Sequence, residues 1–196
     1  MAVVDHEMRR KLVVAKAMQL FAQMGYAKVS FLDISKATGI ARTALYRYFR
    51  TKREIFDEAI HGTTSALKHD LEAICVKRLP VARRLKMACA MVAEVFHDKK
   101  EFFFAIYEFV FSMVRTGVDM SERIDAFTGG FRVVLRKLVA EGVASGELRG
   151  NVEPDDAAEA LYALMESVAL RVLLGVEKDA RCARRRFESM VSALVA

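Results

Sequence analysis

The sequence predicts an all-α protein, and three observations carry that prediction. More than half of the 196 residues are hydrophobic (54%), and only two prolines and ten glycines interrupt them, which is typical of a compact chain. Apolar residues recur along most of the chain with the 3.6-residue period of amphipathic helices. Glycine, proline or short polar breaks separate the periodic stretches. We expect an N-terminal helix-turn-helix domain over residues 1–52 and a second helical domain over residues 53–196.

The first periodic stretch predicts a helix from about Glu7 to Met24, ended by Gly25. Its inward stripe is Val13, Ala17, Leu20, Phe21 and Met24. The stretch that follows, Ser30 to Arg53, reads SFLDISKATGIARTALYRYFRTKR and predicts two short helices joined by a tight turn. A helix, a short turn containing glycine and a second helix form the helix-turn-helix arrangement, in which the second helix enters a DNA groove.

Local residue chemistry places the ends of these two helices. Ser30 is a suitable N-cap, and a negative charge at Asp33 suits the first turn. Gly39 stands where the backbone leaves the first helix, which often requires positive φ. Inward positions of the two helices are Phe31, Ile34 and Ala37, then Leu45 and Phe49. The same spacing turns Arg42, Thr43, Tyr46 and Arg47 outward, where arginine can bond guanine and hydroxyl groups can reach bases or phosphates.

The segment DISKATGIARTALYRYFRTKREIF resembles the TetR family of bacterial transcriptional regulators. The run that carries the resemblance is Leu45, Tyr46, Arg47, Tyr48 and Phe49, followed by Lys52. It implies that Arg42, Thr43 and Tyr46 are the main contacts in the DNA groove and that Ser30, Tyr48 and Lys52 contact phosphates. Two alanines depart from the family pattern: Ala41 replaces a common serine or threonine cap, and Ala44 replaces a common DNA-contacting threonine. The base preference of an average relative is therefore not carried over.

The basic residues are concentrated at the N-terminal end of the chain. Residues 1–60 hold 11 lysines and arginines against 6 acids, whereas the remaining residues hold 20 against 19. A positive N-terminal domain on a near-neutral remainder is typical of a protein that binds the phosphate backbone. Basic chain ends also occur by chance, so this feature supports the motif and does not replace it.

Six further helices are predicted after this segment: about 52–76, 80–96, 101–115, 121–144, 154–174 and 177–195. The first would link the DNA-binding domain to the second domain. The third is the most apolar stretch in the chain. Since a helix that is apolar nearly all round is usually enclosed by neighbours, we expect this helix to run buried through the middle of the second domain.

Two uses are open for the apolar surface of the second domain. The last two helices are apolar on more than one face, and they would form a four-helix homodimer interface of the kind the TetR resemblance implies. The residues that could line a cavity for an apolar or aromatic small molecule are Met91, Phe103, Tyr107, Glu108, Phe111 and Met165. Simple core packing is the alternative for the apolar members. Polar members such as Tyr107 and Glu108 could orient a ligand, or be exposed or paired.

No catalytic or cofactor-binding pattern is found in the sequence. There is no nucleophile elbow, phosphate loop or paired-carboxylate motif, and His61 and His69 are too far apart for a helical metal pair. Cys75, Cys89 and Cys182 form no CxxC pair and suit reduced thiols. No apolar run is long enough for a membrane helix, and the N-terminus lacks the order of a signal peptide, so a cytoplasmic protein is expected.

These observations predict a TetR-like regulator rather than an enzyme. It would bind double-stranded DNA at a palindromic operator as a homodimer, most simply as a repressor, and a small inducer would release it. The alternative is the same DNA-binding domain on a second domain that binds a protein partner or no ligand.

Overall fold

The computed structural model describes residues 2–196, with side chains from residue 6 onward. Over this part of the chain the secondary structure is helical apart from turns and one isolated bridge between Leu148 and Val195, which confirms the predicted all-α class. The helices are α1 (Ala2–Met24), α2 (Phe31–Thr38), α3 (Arg42–Leu45), α4 (Lys52–Cys75), α5 (Val81–Asp98), α6 (Lys100–Arg115), α7 (Ser121–Ala144), α8 (Pro154–Leu173) and α9 (Ala180–Leu194).

The contacts within the chain divide it into two compact units. The first unit comprises Met1–Thr64 and Glu101–Ser121, and the second comprises Ser65–Lys100 and Glu122–Ala196. The first therefore contains the two predicted helices of the helix-turn-helix together with nearly all of α6. The predicted functional boundary after residue 52 is a different kind of division, and it stays a prediction.

The placement of α6 corrects the expectation that this helix is enclosed within the second domain. It belongs to the first unit, and its buried residues are Ala105 and Phe109. Phe104, Phe111 and Val114 are 47%, 57% and 54% exposed. An apolar composition shows how much surface a helix could bury. It does not show how many neighbours the helix has, and here one stripe at i, i+4 spacing is covered.

Several helix ends differ from the predicted ones. The helix α1 begins at Ala2 rather than near Glu7, and α9 begins at Ala180 rather than near Glu177. Two residues predicted to face inward, Met24 and Ala37, are exposed. Each lies in the last turn of its helix, where neighbouring elements cover less of the surface.

The first unit is built around an aromatic cluster. Phe21 of α1, Tyr26 of the following turn, Phe56 of α4 and Phe109 of α6 form consecutive ring contacts, with centroid distances of 4.5 Å between Phe56 and Phe109 and 4.7 Å between Tyr26 and Phe109. Rings at such distances gain packing energy beyond the area they bury. This cluster fixes α1, α4 and α6 relative to one another. The two helices of the helix-turn-helix continue from it, since α2 packs against α1 and α3 packs against α2.

The second unit has its own core, in which α5 packs against α8 and α9. Its fully enclosed side chains include Leu85, Leu135, Leu138, Leu161 and Phe187, each at most 1% exposed. The buried Arg84 is paired: its guanidinium group donates to Glu141 and to the carbonyl of Cys75. Among the described residues, no helix is long and apolar enough to cross a membrane.

Candidate DNA-binding surface

The start of α2 is fixed by a reciprocal pair of hydrogen bonds. The backbone N–H of Asp33 donates to Ser30 Oγ at 3.2 Å, and the backbone N–H of Ser30 donates to Asp33 Oδ2 at 2.8 Å. This capping box satisfies backbone N–H groups that a helix start otherwise leaves unpaired. The hydrogen bonds that Asp33 accepts from the Ser30 side chain and backbone lower the pKa of Asp33. The predicted cap at Ser30 is confirmed.

The turn between α2 and α3 depends on a glycine and on local hydroxyl bonds. Gly39 has a φ of +70°, a conformation that side chains other than glycine rarely adopt, and its N–H donates to the carbonyl of Ser35. Ser35 Oγ donates to the carbonyl of Ile40 at 2.7 Å and closes the turn from the α2 side. The entry of the chain into α3 is thus set by residues within five positions of one another.

Helix α3 is short, and buried side chains rather than an N-cap hydrogen bond hold it in place. Regular helix covers four residues, Arg42–Leu45, and a turn continues the chain to Tyr48. Ala41 makes no side-chain cap bond, as expected for an alanine at that position. Leu45 and Phe49 are 0% and 1% exposed. These two buried side chains fix the rotation of the segment and so determine which residues point outward.

The four residues predicted to face outward are exposed: Arg42, Thr43, Tyr46 and Arg47. The ring of Tyr46 stacks on Phe31 of α2 with centroids 4.8 Å apart and planes within 9°. This contact orients the tyrosine along the surface of the two helices. Neither Arg42 nor Arg47 forms an ion pair within the described residues. Both guanidinium groups are therefore available for an external anion.

Tyr48 is held by a residue of the basic run near the start of α1. Arg10 of α1 donates to the carbonyl of Tyr48 at 2.8 Å, lies over the ring of Phe49, and forms an ion pair with Glu58 of α4. The hydrogen bond to Glu58 raises the pKa of Arg10. The ring of Tyr48 also contacts His6 at 4.7 Å. Charge runs at the start of a helix usually face solvent, and no local signal identified Glu58 as a partner 48 positions away.

Lys52 is placed differently from a freely exposed cation. Its ammonium group donates to the carbonyls of Tyr26 at 2.7 Å, Ala27 at 3.2 Å and Val29 at 2.7 Å, and it lies 4.8 Å from the centroid of the Tyr26 ring. Partial burial lowers its pKa. All three of its protons have acceptors in the turn between α1 and α2, so a phosphate would have to share them.

The six residues predicted for a ligand cavity do not come together in one unit. Phe103, Tyr107, Glu108 and Phe111 lie on α6 in the first unit, where the rings of Tyr107 and Phe111 are 6.1 Å apart. Met165 is buried in the core of the second unit, and Met91 packs against that core. Glu108 accepts a hydrogen bond from the backbone N–H of Tyr26 at 2.9 Å.

A polar depression of about 580 Å³ opens on the second unit. The segment from Cys75 to Pro80 lines it together with Arg84, Glu141 and Glu147. None of the six predicted ligand residues is among them. Three of its charged groups are already engaged, since Arg84 pairs with Glu141 and Glu147 accepts from the backbone N–H of Val81.

Two family models match this chain and together cover most of it. Residues 13–59 match the model described as bacterial regulatory proteins of the TetR family, and residues 68–196 match that of the C-terminal part of BetI-type transcriptional repressors. The first covers the helices whose geometry is given above.

Individual relatives agree with these matches. The regulator PksA of Bacillus subtilis is 28% identical over 180 residues, which is 90% of this chain and 85% of PksA. Among solved structures, a transcriptional regulator from Saccharomonospora viridis in complex with choline is 16% identical with a TM-score of 0.78, over 97% of this chain and 99% of that one. The fatty acid degradation regulator FadR from Bacillus halodurans is 17% identical with a TM-score of 0.76, over 93% and 94%. At these identities the two structures support the fold.

Proposed function

Because this chain belongs to the TetR family of bacterial regulatory proteins, whose members bind DNA and are not enzymes, we propose that it represses transcription by binding a palindromic operator as a homodimer. One observation carries the proposal. The exposed side chains of Arg42, Thr43, Tyr46 and Arg47 lie on one short segment whose rotation is fixed by buried Leu45 and Phe49. The protein would act in the cytoplasm, where bacterial DNA is accessible.

The residues of this surface have different proposed roles. Arg42 and Thr43 stand at the start of α3 and would reach base edges, where a paired arginine contact to guanine discriminates by about 1–3 kcal/mol. Tyr46 and Arg47 would contact bases or the adjacent backbone. Ser30 and Tyr48 would contact phosphates. Lys52 would contribute to a phosphate contact while it orders the preceding turn through its three carbonyl bonds.

A seam on α8 supports dimerisation through the last two helices. Its exposed residues Ala160, Ala163, Ser167 and Leu170, together with Leu174 at the C-cap, follow one another at alternating steps of three and four residues. That spacing forms a straight stripe on a helix that packs against another, and small residues allow close approach. Leu170 and Leu174 are 44% and 69% exposed in the single chain. Pairing of this seam with a second copy would cover both leucines and bring two reading segments onto one operator.

The dimer is tested by the mass of the protein in solution. Leu170→Glu places a charge within the seam and should shift the protein to monomer at micromolar concentration. Val76→Glu, at a site that is 81% exposed and lies outside α8 and α9, is the matched control and should leave the dimer intact. A dimeric Leu170→Glu variant would remove α8 from the interface.

A small, largely apolar or aromatic inducer remains part of the proposal. We propose Met91, Phe103, Tyr107, Glu108, Phe111 and Met165 as residues that respond to it. The choline complex of the Saccharomonospora viridis regulator supports ligand binding in this fold. In the alternative function, the second domain would bind a protein partner or no ligand. The exposed rings of Phe104 and Phe111 on α6 support this alternative, because they could contact a protein partner.

The test of DNA reading is a selection of genomic fragments by the purified full-length protein at moderate salt. We expect the retained fragments to share a short palindrome beside one or a few genes, and candidate inducers chosen from the chemistry of those genes should release it. Retention without any shared sequence would contradict operator reading. A palindrome that no small molecule releases would favour the alternative.

A further inference from the structure

We propose that Glu108 of α6 is a positioning residue for operator binding, because its carboxylate holds the turn at residues 25–29 that leads directly into α2. The proposal rests on the proposed function and adds to it a residue outside the DNA-binding helices. Glu108 would act on DNA affinity through the turn, without touching DNA.

The contact between Glu108 and the turn is made with backbone. The N–H of Tyr26 donates to Glu108 Oε2 at 2.9 Å, across 82 positions of sequence. Gly25 has a φ of +84°, and a Cβ at that position would lie 3.1 Å from Glu108 Oε1. The glycine therefore serves the turn twice: it allows the left-handed conformation, and it leaves room for the carboxylate against the backbone. A carboxylate acceptor makes this hydrogen bond stronger than a hydrogen bond between two neutral amide groups.

The opposite side of the same turn is held by a positive charge. The three carbonyls that accept from Lys52 belong to Tyr26, Ala27 and Val29. The turn is thus held through a backbone donor by an acid of α6 and through backbone acceptors by a base of α4. Loss of either side leaves the other group to hold the turn alone, so the position of the turn depends on both.

Ring packing couples the neighbouring residue of α6 to the same point. Phe109 contacts the ring of Tyr26 at 4.7 Å and the ring of Phe56 at 4.5 Å. Glu108 and Phe109 therefore hold the backbone and the side chain of Tyr26 together. The ring contacts alone would let the Tyr26 backbone rotate about its side chain, and the Glu108 carboxylate and the Lys52 ammonium group together restrict that rotation.

The turn is one residue away from the DNA-binding helices. Val29, at its end, is 1% exposed, and Ser30 is the N-cap of α2. The α2 helix in turn holds α3 through the bond from Ser35 to Ile40 and the stacking of Phe31 on Tyr46. A rotation of the Tyr26 backbone would therefore shift the start of α2 and, with it, the reading surface.

The experiment compares Glu108→Ala, Glu108→Gln and the control Glu101→Ala, an exposed acid two turns earlier on the same helix. Operator binding by the full-length protein is titrated on the selected palindrome and on unrelated DNA. Glu108→Ala should raise the operator Kd about tenfold and leave the Kd for unrelated DNA within about twofold, because non-specific binding depends on charge rather than register. Glu108→Gln keeps an oxygen acceptor and should recover most of the affinity.

Hydrogen exchange supplies a readout that needs no DNA. Peptides covering residues 25–31 should exchange faster in Glu108→Ala than in wild type, Glu108→Gln or Glu101→Ala. If Glu108→Ala does not fold, Glu108→Asp replaces it, since that change withdraws the carboxylate by one methylene and should also weaken operator binding.

Two results would overturn the inference. One is wild-type operator affinity and unchanged exchange in Glu108→Ala; the other is an equal loss in Glu108→Ala and Glu108→Gln, since the latter retains the acceptor. Failure of the proposed function looks different. In that case wild type itself selects no shared sequence, while the exchange comparison still decides whether Glu108 holds the turn.

Discussion

The arginines of the reading segment and those of α9 differ in what surrounds them. Arg42 and Arg47 are exposed, and no acid pairs with them in the described structure. On α9, Arg184 lies 3.1 Å from Glu188 and Arg186 lies 2.5 Å from Glu177. A guanidinium group that already has a carboxylate partner gains little from a phosphate. Availability of the charge, rather than its presence, separates Arg42 and Arg47 from these two arginines of α9.

Glu177 is a buried carboxylate that pairs with two arginines. It is 5% exposed and is contacted by both Arg171 and Arg186. Burial by itself raises the pKa of Glu177, but hydrogen bonds from Arg186 and Arg171 outweigh it and bring the pKa below the ordinary value for glutamate. One arginine of α8 and one of α9 are thus committed to the buried carboxylate of the segment that joins the two helices.

The largest difference in operator affinity is expected between two double variants, each of which removes two arginines. Arg42→Ala with Arg47→Ala should weaken operator binding at least about a hundredfold, or ~3 kcal/mol, because the DNA contacts of two arginines without an acid partner are lost. The control, Arg181→Ala with Arg184→Ala, removes the same charge from two α9 arginines that each have an acid partner, and it should change the Kd by less than about threefold. Fluorescence titration of one operator duplex measures both. Similar losses in the two variants would mean that net charge explains binding.

A second prediction concerns the stability of the region whose charges are paired. Glu177→Gln should lower the free energy of unfolding by about 2 kcal/mol at neutral pH, since two arginines lose a charged acceptor. Because the folded pKa is depressed, this contribution is fully present above the unfolded value near pH 4.3 and is lost as pH falls through the folded pKa. Thermal unfolding from pH 7 to pH 3, at fixed protein concentration, should show the two proteins converging in acid. A constant difference would contradict the assignment.

The third prediction tests the local geometry of the reading region. Ser30→Ala removes one half of the capping box and should cost about 1 kcal/mol of stability, with a modest loss of operator affinity. Ser65→Ala, an exposed serine inside α4, is the control and should be neutral within about 0.5 kcal/mol. Chemical denaturation monitored by circular dichroism measures both. Equal stability of the two variants would show that the cap is not needed to hold α2.

The smallest effect expected is on salt dependence. Arg47→Ala alone should reduce the slope of log Kd against log salt by about one unit if Arg47 contacts a phosphate. Arg184→Ala should leave the slope unchanged. Titrations at four salt concentrations are sufficient, and an unaltered slope for Arg47→Ala would place its guanidinium group away from the backbone.

The sequence by itself determined the parts of the fold that depend on near neighbours. The cap at Ser30, the positive φ of Gly39 and the spacing that puts Leu45 and Phe49 on one face all depend on residues within about five positions of one another. The helical period converts such spacings into directions. The family resemblance of this segment depends on the same local pattern, which is why both the motif and the class of protein could be predicted.

Only the tertiary structure decided which distant residues meet. The enclosed helix expected at residues 101–115 lies in the first unit with much of its aromatic surface exposed, and its Glu108 contacts Tyr26. Lys52, predicted as a phosphate contact, donates to three carbonyls, and Arg10 pairs with Glu58. These partners are separated by tens of residues, and their contact depends on how whole helices pack. Periodicity gives the face of each helix but not the neighbour that covers it.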